Sequence, residues 1–194
     1  MATPPNQFPP NDRRKISRIV LLGYMCAGKS TVGEALARRL EWEFLDFDVE
    51  IERREGATVR QMIDVKGEEY FHRLEEALTE EIVEAQMLVV APGGGWIMRP
   101  ELLNSMGRGT LAVWLYVTPE ETMRRLKADT IDRPFKEMED PTDRIAAMIQ
   151  EREQLYRLAD LTIPADVRSI ESIAYEIEQI MRTRGIPNSG SGGA

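Results

Sequence analysis

A glycine-bounded loop that ends in a lysine and a hydroxyl residue is the most chemically informative feature of this sequence. Residues 23–30 read GYMCAGKS, which fits the pattern G-x-x-x-x-G-K-[ST]. In this pattern the main-chain N–H groups point at phosphate oxygens, and the positive end of the next helix adds to their attraction. We predict that Lys29 contacts the β- and γ-phosphates of ATP and that the Ser30 hydroxyl contacts Mg²⁺. The predicted nucleotide-binding positions in this loop are Gly23, Cys26, Ala27, Gly28, Lys29, Ser30 and Thr31.

Two aspartates, Asp46 and Asp48, lie at the end of the second apolar run of the chain. In an extended segment, a spacing of two places both carboxylates on one side. One of them would then support the water shell of Mg²⁺, and the other would accept a hydrogen bond from a substrate hydroxyl and act as a base. Alternatively, the pair belongs to an acidic cluster at the start of a helix, because Glu50 and Glu52 follow.

Three further features carry weaker signals when each is taken alone. The run Gly93–Gly95 allows a ligand to approach the main chain closely, but glycine runs also serve as plain connections. Arg133 lies in a segment without a core period, where a cation can act as a lid arginine over a phosphate site. Arg152 precedes Tyr156 by four residues on a predicted helix, and its guanidinium has the geometry to bind a carboxylate bidentately.

Short apolar runs alternate with helical periods along the chain. The run LAVWLYV at 111–117 has no polar face, which is typical of the interior of a parallel sheet. After Ser169, the spacing of Ile170, Ile173, Ile177 and Ile180 predicts a final helix with these side chains on the core. Predicted strands cover 18–22, 44–47, 87–91, 111–117 and 161–163, and predicted helices begin near 29, 58, 68, 119, 141 and 169. This alternation predicts a parallel α/β sheet with helices on both faces, whose ligands bind beyond the carboxyl ends of the strands.

Length and composition exclude several classes of protein. The 194 residues are 42% hydrophobic and 30% charged, a balance that forms a core without disulfides or zinc. No apolar run approaches the ~18–20 residues that span a membrane. The net charge of −8 argues against nucleic-acid binding, including a DNA or RNA kinase. A single cysteine, Cys26, and the lack of an apolar leader predict a cytoplasmic protein.

The order and spacing of these motifs resemble those of the shikimate kinase family from about Arg18 to Met181. The stretches that carry the resemblance are GKSTVGEALARRL, FLDFDVEIERREG, GEEYFHRLEEALTEE, GGGWI, DRP and YRLADLTI. The resemblance implies a three-layer P-loop kinase fold, with a five-stranded parallel sheet in the order 2-3-1-4-5 and a mobile lid. It also implies phosphorylation of the 3-hydroxyl of shikimate by ATP with Mg²⁺, a step toward chorismate and the aromatic amino acids.

On the nucleotide side, the resemblance assigns Lys29 and Ser30 to the ATP phosphates and Mg²⁺. Asp46 is assigned to the metal shell, and Arg133 to the lid, where it contributes to nucleotide binding and catalysis. We predict a single domain over 16–185 with the lid at about 129–140, and disordered tails at 1–15 and 186–194. We also predict a monomer whose partner is a small hydroxylated molecule, without nucleic-acid or membrane partners.

On the acceptor side, the resemblance assigns Asp48 to the accepting hydroxyl, the main chain of Gly93–Gly95 to the substrate site, and Arg152 to the substrate carboxylate. His72 stands where the family usually has a second carboxylate-binding arginine, so we assign it to the pocket, although a neutral imidazole cannot form a bidentate ion pair. Trp96 replaces a small residue and either narrows the pocket or belongs to the core. Three functions therefore stay open: a shikimate kinase, a related kinase of another polyol or cyclitol, and a nucleotide-binding homologue without catalysis.

Overall fold

The computed structural model describes residues 15–128 and 141–183. The predicted lid with Arg133 lies outside the described residues, as do the predicted tails apart from Lys15. Within the described ranges, no helix has the length and apolar character that crossing a membrane requires.

A five-stranded sheet lies at the centre of the fold, and all its neighbouring strands pair in parallel. The strands are β1 (Arg18–Leu22), β2 (Glu43–Asp46), β3 (Leu88–Ala91), β4 (Thr110–Tyr116) and β5 (Leu161–Pro164). Their order across the sheet is β2-β3-β1-β4-β5, which confirms the predicted order. Because Asp46 pairs in register with Ala91, the carboxyl ends of β2 and β3 lie side by side.

Helices cover both faces of the sheet. They are α1 (Lys29–Leu40), α2 (Phe47–Glu55), α3 (Val59–Lys66), α4 (Glu68–Ile82), α5 (Pro100–Ser105), α6 (Pro119–Ala128), α7 (Thr142–Tyr156) and α8 (Ile170–Thr183), with a 3₁₀ turn at Trp96–Met98. Side chains of β1 alternate between the two faces, as in any strand. Ile19 and Leu21 pack with α1 and α8, whereas Val20 and Leu22 pack with α2, α4 and α7. The fold therefore has the three predicted layers.

The final helix shows one difference from the predicted core stripe. Ile173 and Ile177 are buried as predicted, but 40% of Ile170 is exposed. Ile170 is the first residue of α8 and lies beside an open cleft, beyond the edge of the sheet core. Ala174 and Met181 complete the buried stripe instead.

Candidate active site

The glycine-bounded loop connects β1 to α1 at the carboxyl edge of the sheet. Gly28 precedes the helix with a left-handed φ of 88°, a conformation that favours glycine. Among the described residues, no side chain caps the N-terminus of α1. The first N–H groups of a helix are donors that suit an anion, and the helix dipole favours negative charge at the same place.

Lys29, Ser30 and Asp46 meet at this loop. The Lys29 ammonium donates hydrogen bonds to the carbonyls of Gly23 (3.0 Å) and Tyr24 (3.4 Å), so the side chain folds back over the loop. The Ser30 hydroxyl donates to Asp46 Oδ2 at 2.5 Å. The two residues predicted to serve the metal are therefore neighbours, although they are 16 positions apart in sequence.

The chemistry of this pair fits Mg²⁺. Hydroxyl and carboxylate oxygens are hard donors, and Mg²⁺ commonly binds through one or two protein oxygens together with phosphates and water. In residues 15–128 and 141–183, no group of three or more His, Cys, Asp or Glu side chains is arranged to hold a metal ion. Ser30 and Asp46 thus provide two neighbouring oxygen donors of the kind that Mg²⁺ prefers.

Asp48 lies in a helix, so the prediction that both aspartates share one side of an extended segment is wrong. The strand ends at Asp46, whose Oδ1 accepts a hydrogen bond from the Val49 N–H (3.3 Å) and caps α2. Asp48 then falls in the first turn of α2, where an acidic side chain complements the helix dipole. Both aspartates nevertheless line one cleft, so the acidic helix start is compatible with the roles predicted for the pair.

That cleft has a volume of about 1230 Å³ and runs from the loop to the end of β3. Of the predicted nucleotide-binding residues, those that line it are Cys26, Ala27, Gly28, Lys29, Ser30 and Thr31. Arg125 and Asp166 also line it, although no motif in the sequence marks them. Arg125 donates to the carbonyls of Cys26 (3.2 Å) and Asp166 (3.0 Å), and so ties the loop to the connection between β5 and α8.

The glycine run after β3 packs against the acceptor-side residues. A Cβ on Gly93 would lie 2.8 Å from Glu75 Oε1 and 3.2 Å from Asp48 Oδ1, so a side chain there would have to displace the Glu75 carboxylate. The Gly94 carbonyl accepts hydrogen bonds from Arg152 Nη1 and the Tyr156 hydroxyl, both at 3.3 Å. Burial raises the pKa of Tyr156 to about 12, so its hydroxyl stays protonated as a donor. Asp48 and Arg152 thus both lie beside the glycine run.

His72 contacts a carboxylate that the sequence analysis did not single out. Its Nδ1 lies 3.1 Å from Glu75 Oε2, and Arg99 Nη2 donates to the same oxygen at 2.9 Å. Burial raises the pKa of Glu75, the hydrogen bond from His72 and the charge of Arg99 oppose this rise, and the charge of Asp48 adds to it. The sequence did contain a signal for a buried role of Glu75, because this charged residue falls on the apolar stripe of α4 between Phe71 and Leu78.

Trp96 belongs to the core, so the interpretation in which it narrows the pocket is wrong. The residue is 1% exposed, and its indole N–H donates to Thr79 Oγ1 at 3.0 Å. Thr79 in turn donates to the Glu75 carbonyl at 2.7 Å. The indole thereby attaches the turn that follows the glycines to α4.

Tyr24 connects the nucleotide loop to the acceptor-side arginine. The Arg152 guanidinium lies 5.6 Å from the centre of the Tyr24 ring, within the range of a cation–π contact. The Tyr24 hydroxyl donates to Met148 Sδ at 3.3 Å, one turn earlier on α7. The loop thus supports the helix that carries Arg152.

Comparisons with known proteins agree with this geometry. The sequence model of the family described as shikimate kinase matches residues 25–182. A shikimate kinase of Moorella thermoacetica is 37% identical over 164 residues, which cover 84% of this chain and 94% of that protein. A shikimate kinase of Legionella pneumophila (strain Corby) is 39% identical over 165 residues, with 84% and 93% covered. The solved shikimate kinase from Acinetobacter baumannii in complex with shikimate superposes with a TM-score of 0.80 at 32% identity, covering 89% of this chain and 96% of that one.

Proposed function

We propose a site-by-site mechanism for this chain, which belongs to the shikimate kinase family. It is a kinase that transfers phosphate to an alcohol group. We propose that the acceptor is shikimate, which the Acinetobacter baumannii relative binds. The observation that carries the proposal is the convergence of Ser30 and Asp46 with Asp48, Gly93 and Arg152 at one sheet edge.

The nucleotide half holds the phosphates through main chain and one ammonium group. The N–H groups at the start of α1 bind the phosphate oxygens, and Lys29 turns from the loop carbonyls to the β- and γ-phosphates. Ser30 and Asp46 would hold Mg²⁺ beside them. When bound, the metal offsets the negative charge on the phosphates. Arg133, outside the described residues, is proposed as the lid arginine because of the resemblance.

The acceptor half orients the hydroxyl and the carboxylate of shikimate. Arg152 binds the carboxylate, because its guanidinium is already fixed by the Gly94 carbonyl and the Tyr24 ring. Asp48 accepts the proton of the 3-hydroxyl as its oxygen attacks the γ-phosphorus and the bond to the ADP oxygen breaks. The main chain of Gly93–Gly95 lines the acceptor site between Asp48 and Arg152. The cytoplasmic location and the monomeric state stay predictions.

Two alternative functions can be separated from this one. A nucleotide-binding homologue without catalysis needs neither Asp48 nor Arg152, and this chain has both at the sheet edge. A kinase of a neutral polyol or cyclitol has no carboxylate to bind, so the guanidinium of Arg152 would have no charged partner on such an acceptor.

A coupled assay of ADP release tests the proposal directly. Wild-type enzyme with ATP and Mg²⁺ is offered shikimate, quinate, gluconate and cyclitols in turn. We expect ADP release that depends on shikimate and on Mg²⁺, and its loss in the Lys29→Met variant. ADP release only with a neutral acceptor supports the polyol function, and ATP binding without acceptor-dependent ADP release supports the non-catalytic one.

A further inference from the structure

A buried carboxylate stands in the wall of the proposed acceptor site. The side chain of Glu75 is only 1% exposed, and its Oε1 lies 2.8 Å from the position of a Cβ on Gly93. Among the described residues, this oxygen has no hydrogen-bond donor. Asp48 Oδ1 lies 3.2 Å from the same Cβ position, so two acidic side chains flank the glycine turn.

Two carboxylates beside the turn are unfavourable for a negatively charged acceptor. Arg152, which donates to the Gly94 carbonyl of the same turn, contributes a single positive charge. His72 contacts Glu75, but its side chain is an imidazole and not the permanently charged guanidinium of an arginine. The arrangement therefore needs a second permanent positive charge before it can hold a carboxylate.

Arg99 provides that charge from a distant part of the chain. Its Nη2 donates to Glu75 Oε2 at 2.9 Å, and its Nη1 donates to the His72 carbonyl at 2.8 Å. The main chain of Arg99 closes the 3₁₀ turn by donating to the Trp96 carbonyl at 3.2 Å. Because the indole of Trp96 is bonded to Thr79 on α4, the whole turn holds the guanidinium against Glu75.

We infer that Arg99 is a positioning residue of the acceptor site, which neutralises and orients Glu75 so that the pocket accepts a carboxylate although position 72 is a histidine. The inference rests on the proposed function, since it concerns the same acceptor. It assigns to Arg99 the task of cancelling the charge of Glu75, so that the positive charge of Arg152 can act on the acceptor carboxylate. Burial raises the pKa of Glu75, and the positive charge of Arg99 lowers it, which agrees with a role of Arg99 in stabilising the Glu75 carboxylate.

Steady-state kinetics with a charged and a neutral acceptor test the inference. Wild type, Arg99→Gln, Arg99→Lys and the double variant Glu75→Gln/Arg99→Gln are assayed with shikimate and with its methyl ester. We expect R99Q to raise the KM for shikimate about tenfold, since one buried charge is left uncompensated. The KM values for ATP and for the methyl ester should change less than about twofold, because neither involves the acceptor carboxylate.

The two other variants separate charge balance from simple packing. R99K keeps both charges and E75Q/R99Q removes both, so each should keep the preference for shikimate over its ester within about threefold of wild type. Loss of that preference in either variant overturns the inference, and this holds even if R99Q fails to fold. Equal effects of R99Q on both acceptors also overturn it. Wild type without shikimate-dependent ADP release contradicts the proposed function, and the inference with it; active wild type with an unaffected R99Q contradicts the inference alone.

Discussion

The nucleotide half and the acceptor half of this site are built in different ways. The nucleotide half is nearly contiguous in sequence, with a loop and one helix start over 23–31 joined by Asp46. The acceptor half takes one or two side chains from each of α2, α4, the turn after β3, and α7. In the proposed function, main chain binds phosphate in the first half, whereas fixed side-chain charges select the acceptor in the second. Side-chain substitutions should therefore separate the two halves by their kinetic signatures.

Loss of the proposed base should have the largest effect. Asp48→Asn removes the group that accepts the hydroxyl proton but keeps the size of the side chain, so we expect kcat to fall about 100- to 1000-fold. Neither KM should change by more than about threefold. Asp64→Asn is a matched control, since Asp64 is an exposed aspartate on the neighbouring helix α3. A kcat within about tenfold of wild type for D48N would remove Asp48 from the chemistry.

Removal of the acceptor-side guanidinium should come second. Arg152→Met should raise the KM for shikimate at least about 30-fold, because a carboxylate loses its charged partner in a half-buried site. The KM for ATP should stay nearly constant, which would show that the two halves are separable. Arg60→Met, at an exposed position, serves as the control. A parallel rise of the KM for ATP in R152M would contradict the separation, and would point to the contact with Tyr24 as a coupling between the halves.

A smaller effect is expected from Glu50 on α2 and Glu121 on α6, which accept hydrogen bonds from arginines on their own helices. The hydrogen bond with Arg53 lowers the pKa of Glu50 to about 2, and the hydrogen bond with Arg124 lowers that of Glu121 to about 2. Because these folded values lie below the ordinary value of 4.5, each group stabilises the fold above pH 4.5 and loses this contribution as the pH falls toward 2. Both side chains are near the surface, so each contribution should stay below about 1 kcal/mol.

Urea unfolding of Glu50→Gln and Glu121→Gln at pH 6 and pH 2.5 measures the contribution of each carboxylate to the free energy of unfolding. Each variant should be less stable than wild type at pH 6, and the difference should shrink at pH 2.5.

E121Q should also raise the KM for ATP a few-fold, because Glu121 accepts a hydrogen bond from Arg125 (2.7 Å), which contacts the loop carbonyl of Cys26. E50Q should leave that KM unchanged. Equal KM values for both variants would contradict the role of Arg125 in the nucleotide half.

The smallest expected effect concerns the loop conformation itself. Cys26 adopts a left-handed φ of 59°, which is unfavourable for a residue with a side chain. Cys26→Gly should raise the free energy of unfolding by about 0.5 kcal/mol, the strain relieved less the greater entropy of glycine in the unfolded chain. Glu41→Gly, at a φ of 57° after α1, is a matched site outside the loop. A clear destabilisation by C26G would show that the thiol makes contacts worth more than the strain.

The sequence predicted the features that depend on neighbouring residues. The loop at 23–30, the helix it precedes and the strand order follow from local spacing and from the resemblance, and they are confirmed. The prediction that Asp48 lies on an extended segment is wrong, because the strand ends at Asp46, which caps α2. The acidic residues after it, Glu50 and Glu52, already indicated that helix.

Features that depend on distant partners were not predictable in the same way. Arg99 and Glu75 are 24 positions apart, and nothing in the spacing joins them. Trp96 reaches the core because Thr79, 17 positions away, accepts its indole hydrogen bond. Of these residues, only Glu75 could be noticed in the sequence, because it is a charged residue on the apolar stripe of a helix. The acceptor half is thus the part of the site that needed the structure.

A crystal structure of the wild-type protein with ADP, Mg²⁺ and shikimate would test most directly the claim that the nucleotide half and the acceptor half serve one reaction. We expect the phosphates of ADP at the start of α1, the shikimate carboxylate on Arg152, and the 3-hydroxyl within hydrogen-bond distance of Asp48. Shikimate bound with its carboxylate away from Arg152, or with its 3-hydroxyl out of reach of Asp48, would contradict it.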